Sequence, residues 1–426
     1  MNALLIRGGR VLDPSNGFDQ EADVLLSDGR IARIGRGLSG GSAEVLNASG
    51  RLVVPGLVDI HVHLREPGQE HKETIQTGCR SAAAGGFTSL VCMPNTAPPL
   101  DRPEWVRTVI ERGQAADARV YPVACITVGQ KGAALADLAA LGEAGAVAFS
   151  DDGFPVGSED LMRRALEASA RLGCPIAPHE EVKALTEGGH MHEGAASRAL
   201  GVRGMPAEGE AGMIARDLRL LEQVGGRLHV LHVSVARAVD LIREARRRGL
   251  PVTAEACPHH FVLTDEAVRT HGTLAKMSPP LRSAEDVAAV KAGLADGTLD
   301  AIATDHAPHA AEEKALPFDR APFGIVGLET AVGLTLTHLV APGVLSLTDA
   351  MAKLTAIPAR IVGLPGGTLK EGASADVAVI DPDLEWTVDP AQFRSKSKNT
   401  PFAGWRLKGK AVATILGGRM TYRDGI

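Results

Sequence analysis

The chain has 426 residues, 45% hydrophobic, 23% charged and 3% aromatic, with a formal net charge of -6. That length allows a large core and more than one domain, while the mild charge and scarce aromatics argue against a polyanion partner or a nucleic-acid stacking platform. The five cysteines (Cys79, Cys92, Cys125, Cys174, Cys257) are odd in number, far apart and never spaced CxxC, which excludes a thiolate zinc knuckle and fits a reducing cytoplasm.

The first segment, MNALLIRGGRVLDPSNG, alternates and turns like a hairpin and lacks the basic start and long apolar region of a signal peptide. No stretch approaches a membrane span. Short strands continue to residue 54, and Ser27-Asp28-Gly29-Arg30 reads as a hairpin turn. Residues 366–426 have the same texture, with a second turn at Leu416-Gly417-Gly418-Arg419. Neither end buries much alone, so residues 1–54 and 366–426 are expected to join as one small β-sandwich domain.

Residues 55–365 differ. Eight apolar runs alternate with helical stretches: GLVDIHVHL, TSLVCMPN, RVYPVACIT, AVAFSDD, PIAPHEE, RLHVLHVS, PVTAEACPHH and AIATDHAPH. In VARAVDLIREARRRG, Val235, Val239, Leu241 and Ile242 stand among arginines, as on a helix with one face on a core. Continuous apolar strands of this kind belong to parallel sheets covered by helices. Eight βα units of this total length predict an α/β fold, a (β/α)8 TIM-like barrel. A doubly wound open sheet is the alternative, because strand count does not prove closure.

Polar residues gather at the carboxyl ends of the runs, where barrel enzymes build their sites. The first ends in His61 and His63, the second in Asn95 and the fourth in Asp151 and Asp152. His179 ends the fifth, His232 the sixth, and Asp305, His306 and His309 the eighth. His61 and His63 share parity, so on one strand both point to the same side. Alone, each of these histidines reads as well as a core residue; together they read as ligands. His229 stands an odd number of positions from His232 and should face away from the barrel. His190 and His192 follow Gly188-Gly189 and read as surface. Imidazoles and carboxylates without thiolate suit Zn²⁺, with Mn²⁺, Co²⁺ or Fe²⁺ as alternative occupants. Four histidines and two aspartates exceed the needs of one tetrahedral ion and suit two, which together generate hydroxide at neutral pH and polarise a carbonyl.

This arrangement resembles the amidohydrolase superfamily of metal-dependent cyclic amidases. HVHLREPG, VCMPNTAP, FSDDG, KMSPPLR, ATDHAPH, RAPFGIVGLET and KNTPFAGW resemble a type I dihydroorotase over nearly the full length. The resemblance implies reversible, zinc-dependent cyclisation of N-carbamoyl-L-aspartate to L-dihydroorotate plus water in pyrimidine synthesis. It implies that His61, His63 and Asp305 hold one zinc, that His179 and His232 hold a second, and that Asp152 bridges them. A bridging hydroxide would be the nucleophile in hydrolysis and Asp305 the general base and acid. Arg65, Asn95 and His309 would bind the substrate carboxylate, with His63 also facing substrate. The backbone of Phe323 and Gly324 would hold the ring edge. Ser278 stands where the family usually has Asn and is shorter than an amide. Relatives that bridge with a carbamylated lysine carry it on the fourth strand, whereas AGAVAFSDDG has none. Residues 306–323 read as a loop at the pocket mouth. The resemblance also implies a homodimer and association with aspartate carbamoyltransferase. Two rival readings are another cyclic amidase (hydantoinase or allantoinase) and a non-catalytic subunit scaffolding that transferase.

Overall fold

The computed structural model describes residues 3–424, so the outermost residues of the expected terminal domain (1–2 and 425–426) lie outside the described residues. Strands from both chain ends share one sheet. Its order is Arg419–Arg423, Arg406–Leu416, Val377–Thr387, Leu52–Pro55, Leu4–Asp13, Phe18–Ser27, Arg30–Gly35, with Glu44–Asn47 added alongside Leu4–Asp13. Both turns read from the sequence are present. Ser27 pairs with Arg30, and Asp28 and Gly29 have φ of 52° and 75°. Leu416 pairs with Arg419, and Gly417 and Gly418 have φ of 55° and 81°. Positive φ at both central residues is the hairpin turn whose twist matches its strands.

The middle of the chain forms the barrel. Parallel strands Leu57–Val62, Phe87–Cys92, Arg119–Ala124 and Ala148–Phe149 follow in order. The fifth position is a single bridged residue, Ile176, paired to Phe149 on one side and Leu228 on the other. Leu228–Val230, Val252–Ala256 and Ala301–Ile302 complete the ring. Val62 bridges His306, and the His63 N–H donates to the His306 carbonyl at 2.8 Å. The sheet therefore closes, which excludes the open doubly wound alternative.

Helices cover the ring for reasons visible locally. Ser158 caps Glu159–Leu172 by accepting from the Leu161 N–H, and Gly173 ends it at φ 72°, a left-handed position that glycine adopts without a Cβ clash. Ala236–Arg247 buries Ala238, Val239, Ile242 and Ala245, close to the face expected from its spacing. Strand residues such as Leu90, Val120, Phe149, Leu228 and Ala254 pack outward with the helices in the main core. A second, smaller cluster contains Val58, Val91, Val123, Ala148, Ala301 and Ala303, the residues of opposite parity. Among the described residues no helix is long and apolar enough to cross a membrane.

Candidate active site

The side chains singled out at the strand ends converge. His61 Nε2 lies 3.5 Å from Asp305 Oδ1 and 3.7 Å from Asp152 Oδ1. His63 Nε2 lies 3.0 Å from Asp305 Oδ1 and 3.4 Å from Asp152 Oδ2. His179 Nδ1 and His232 Nε2 lie 3.4 Å and 3.5 Å from Asp152 Oδ1 and 3.1 Å from each other. All six residues are buried. Of the two acids in FSDDG, Asp152 faces the histidines. Asp151 turns away to accept from the Ile126 and Thr127 N–H groups and the Thr127 hydroxyl.

This donor set fits a divalent cation. Ligand atoms about 2.1 Å from a tetrahedral ion sit roughly 3.4 Å apart, close to the spacings here. His61, Asp152 and His232 form one group of ligand atoms within 4.8 Å of one another, and His61, His63 and Asp305 form another. His61 Nε2 and Asp152 Oδ1 are buried without a hydrogen-bond partner. Such orphaned polar atoms are costly unless something binds them. The electrostatics agree. Burial opposes charge on Asp152, but the imidazoles of His179, His232 and His61 gathered around it outweigh that and hold the carboxyl well below its ordinary range. Burial likewise opposes charge on His179, yet Asp152 and Glu181 raise it to about 9, a preference for positive charge that a bound cation would take over from the proton.

Backbone strain gathers at the same place. Five described non-glycine residues have positive φ, and Arg65 (60°), His232 (33°) and Asp305 (48°) are three of them. These conformations are uncommon outside glycine. Each follows the end of a strand and re-aims its side chain. Parity arguments therefore stop where the strand stops, and one expectation is corrected. The strand Leu228–Val230 ends before His232, so His229 does not face away. Its Nε2 lies 3.0 Å from Glu255 Oε2, inside the ring.

A cavity of about 620 Å³ opens above the cluster, lined by His63, Arg65, Asn95, Ser278 and His309, with Phe323 and Gly324 at one edge. Arg65 is buried. Its Nε donates to the Pro308 carbonyl at 3.2 Å, and Nη2 lies 3.2 Å from His309 Nε2. Glu66 takes no part, because it pairs with Arg112 at 2.6 Å and accepts from the Ile75 N–H. Among the described residues no carboxylate forms an ion pair with Arg65. Burial lowers it to about 10, so it stays cationic at neutral pH. A buried guanidinium with no anion, facing a cavity, suits a carboxylate ligand.

The other residues on that wall are partly committed. Asn95 Oδ1 lies 2.9 Å from His63 Nδ1, which leaves His63 Nε2 for the cluster. The Phe323 carbonyl lies 2.8 Å from His309 Nε2, and the Gly324 N–H donates to the Lys276 carbonyl at 2.9 Å. Gly324 has φ 125°, and a Cβ there would meet that of Ala307 at 2.6 Å. Ser278 is half-buried on the lining.

Several residues were missed in the sequence. Glu255 contacts His61 Nδ1 at 2.6 Å, and Glu181 contacts His179 Nε2 at 3.4 Å. Glu255 lies on the seventh run between Ala254 and Ala256, which face the helices, so alternation alone could have turned it inward. His190 is partly exposed, so the surface expectation holds only in part. It lines the cavity with its ring stacked on Phe323, 6.4 Å between centroids, and His192 belongs to a two-residue strand paired with Gly204–Met205. The 306–323 segment contains a short helix, Ala311–Lys314.

Known proteins align with this architecture. The Dihydro-orotase-like family matches residues 50–237, and the Amidohydrolase family matches residues 264–422. A dihydroorotase from Pelotomaculum thermopropionicum is 56% identical over 423 residues, covering 99% of each chain. One from Syntrophotalea carbinolica is 52% identical, again over 99% of each. Among solved structures, L-hydantoinase (dihydropyrimidinase) from Arthrobacter aurescens superposes with a TM-score of 0.90 at 28% identity, covering 100% of this chain and 97% of that one. A barrel rim of histidines and aspartates, joined to more than half identity along nearly the whole of such relatives, makes this chain a member of the dihydroorotase family of amidohydrolases.

Proposed function

We propose that the chain catalyses the reversible ring closure of N-carbamoyl-L-aspartate to L-dihydroorotate plus water. The observation that carries this reading is a buried Arg65 without an ion pair, facing the cavity that opens above six converging histidines and aspartates. His61, His63 and Asp305 would hold one divalent cation and His179 and His232 a second, with Asp152 between them. Imidazole and carboxylate ligands suit zinc, with Mn²⁺, Co²⁺ or Fe²⁺ as alternative occupants, and the number of ligands favours two ions. When bound, such ions polarise an amide carbonyl and lower the pKa of water.

The remaining work falls to the chain. Arg65 binds the substrate carboxylate, assisted by His309 and the Asn95 wall, and so sets the ring amide over the cluster. Asp305 accepts a proton from the attacking water as its oxygen adds to the ring carbonyl. Asp305 then returns that proton to the ring nitrogen as the C–N bond breaks. Closure runs the same transfers backwards. Ser278 and the edge at Phe323 and Gly324 shape the far wall against the ring.

The solved relatives named hydantoinase supply a second reading. Asp152 instead of a fourth-strand lysine, and a cationic pocket for an acidic substrate, support dihydroorotate. The full complement of ligand residues speaks against a scaffold without activity. Dihydroorotate hydrolysis with and without a chelator is the test. Activity should vanish with the chelator and return with zinc; turnover of hydantoins or allantoin but not dihydroorotate would overturn the reading. The same family reading extends to a homodimer working in the cytoplasm beside aspartate carbamoyltransferase. Size-exclusion chromatography alone and with that enzyme checks both associations.

A further inference from the structure

Glu255, on the strand Val252–Ala256, is fully buried and has both carboxylate oxygens engaged. Oε1 lies 2.6 Å from His61 Nδ1 and also accepts from the His232 N–H at 3.3 Å. Oε2 lies 3.0 Å from His229 Nε2, and His229 Nδ1 lies 2.8 Å from Thr253 Oγ1. One side chain thus joins the first, sixth and seventh strands beneath the cluster.

A carboxylate only accepts hydrogen bonds, so this geometry dictates where the protons sit. His61 carries its proton on Nδ1 and His229 carries its own on Nε2. Thr253 then donates to the bare His229 Nδ1. The chain of bonds ends at His61 Nε2, left as a lone pair, buried, without a partner, and facing Asp152 and Asp305. We infer that Glu255 is a positioning residue that fixes the His61 tautomer, and with it the cluster's capacity to bind a divalent cation. The inference rests on the reading of His61 as a ligand and deepens it. Without the acceptor, His61 is free to move its proton to Nε2, where an N–H would point at the cation.

The substitutions that test this are not equivalent. Glu255→Leu removes the acceptor and should weaken zinc binding by roughly 10–100-fold, the usual cost of losing such an outer partner. Glu255→Gln keeps one carbonyl oxygen for His61. Its amide nitrogen would then donate to His229, which can turn its own proton toward Thr253, whose hydroxyl also accepts. Glu255→Gln should therefore retain affinity to within about tenfold. Thr253→Val alone should change little, but combined with Glu255→Gln it blocks that escape, and the double variant should approach Glu255→Leu. A merely structural glutamate would not produce this order.

Zinc affinity is read by chelator competition on metal-free protein. Nitrogen-15 shifts of the histidine rings in the unsubstituted, metal-free protein, read at a pH high enough that His61 carries a single proton, report the tautomer without any variant. Wild-type affinity in Glu255→Leu, or the single proton of neutral His61 on Nε2 instead of Nδ1 in the unsubstituted protein, overturns the inference. If the unsubstituted protein binds no divalent ion, the cation reading of the cluster falls, and the His61 shift still decides the tautomer.

Discussion

Asp305 reaches His63 at 3.0 Å and His61 at 3.5 Å from one carboxylate oxygen, which places it on the floor of the cavity. Asp305→Ala should lower dihydroorotate turnover by about 10²–10⁴-fold, the range for a lost general acid–base. Circular dichroism should be unchanged, and near-normal activity would remove Asp305 from proton transfer. His260 offers a test of stability instead. Its Nε2 donates to the Pro279 carbonyl at 3.0 Å, and burial, aided by neighbouring His259, pushes its pKa well below the ordinary value. The unfolded chain takes up that proton near pH 6.5 while the folded one does not. Unfolded protein then binds more protons, so stability falls as pH drops through about 6.5. Urea midpoints at pH 7.5 and 5.5 should differ less in His260→Gln than in the parent; equal differences would assign the acid sensitivity elsewhere. Single residues were legible where chemistry marked them, as with His61, Asp152 and Arg65. Alternation could have turned Glu255 inward, but its role shows only once His61 and His229 are seen on either side of it.

At the scale of elements, the segment 306–323 is fastened from below. Lys314 is buried, and its Nζ donates to the carbonyls of Pro322 at 2.9 Å, Gly324 at 3.0 Å and Lys276 at 3.3 Å. Lys276 Nζ donates to the carbonyls of Phe318 and Ala321 at 2.5 and 2.7 Å. Lys314→Met should cost about 1–3 kcal/mol through acceptors left unsatisfied. Amide hydrogen exchange across 306–323 should quicken, and unchanged exchange there would mean other contacts hold the segment. The eight runs read from the sequence all appear in the ring, although the fifth pairs only through Ile176. A run extends past its strand because apolar pattern continues where backbone pairing has stopped. The turns after the strands were less legible, because nothing in Arg65, His232 or Asp305 announces a positive φ as a glycine does. The small strand Met191–His192 depends on Gly204–Met205, a pairing that local pattern does not reveal.

For the whole molecule, the shared sheet decides how much of the chain is needed. Ala378 and Val379 pair with Val54 and Val53, and the Thr414 hydroxyl donates to the Ala83 carbonyl on a barrel helix at 2.7 Å. Phe402 and Leu407 pack with Met277, Ile325 and Leu334, close to the residues that line the cavity. Deleting residues 366–426 should therefore expose both cores and abolish soluble expression. A truncated chain that elutes as a folded monomer would show that the barrel stands alone. Turn chemistry at both ends made the shared sheet legible from the sequence, whereas the ring's closure through Val62 and His306 rests on a single bridge that no strand count contains.

The pairing of Leu52–Pro55 with Val377–Thr387 also fixes an order of events on the ribosome. The first of these strands is made early, and every barrel strand is translated before its partner. At roughly 5–20 residues per second, a nascent chain carries that apolar edge uncovered for some tens of seconds. Unpaired edges of this kind recruit other chains. Yield from the cell should then depend on how fast the codons between these two strands are read, more than on any residue of the cavity.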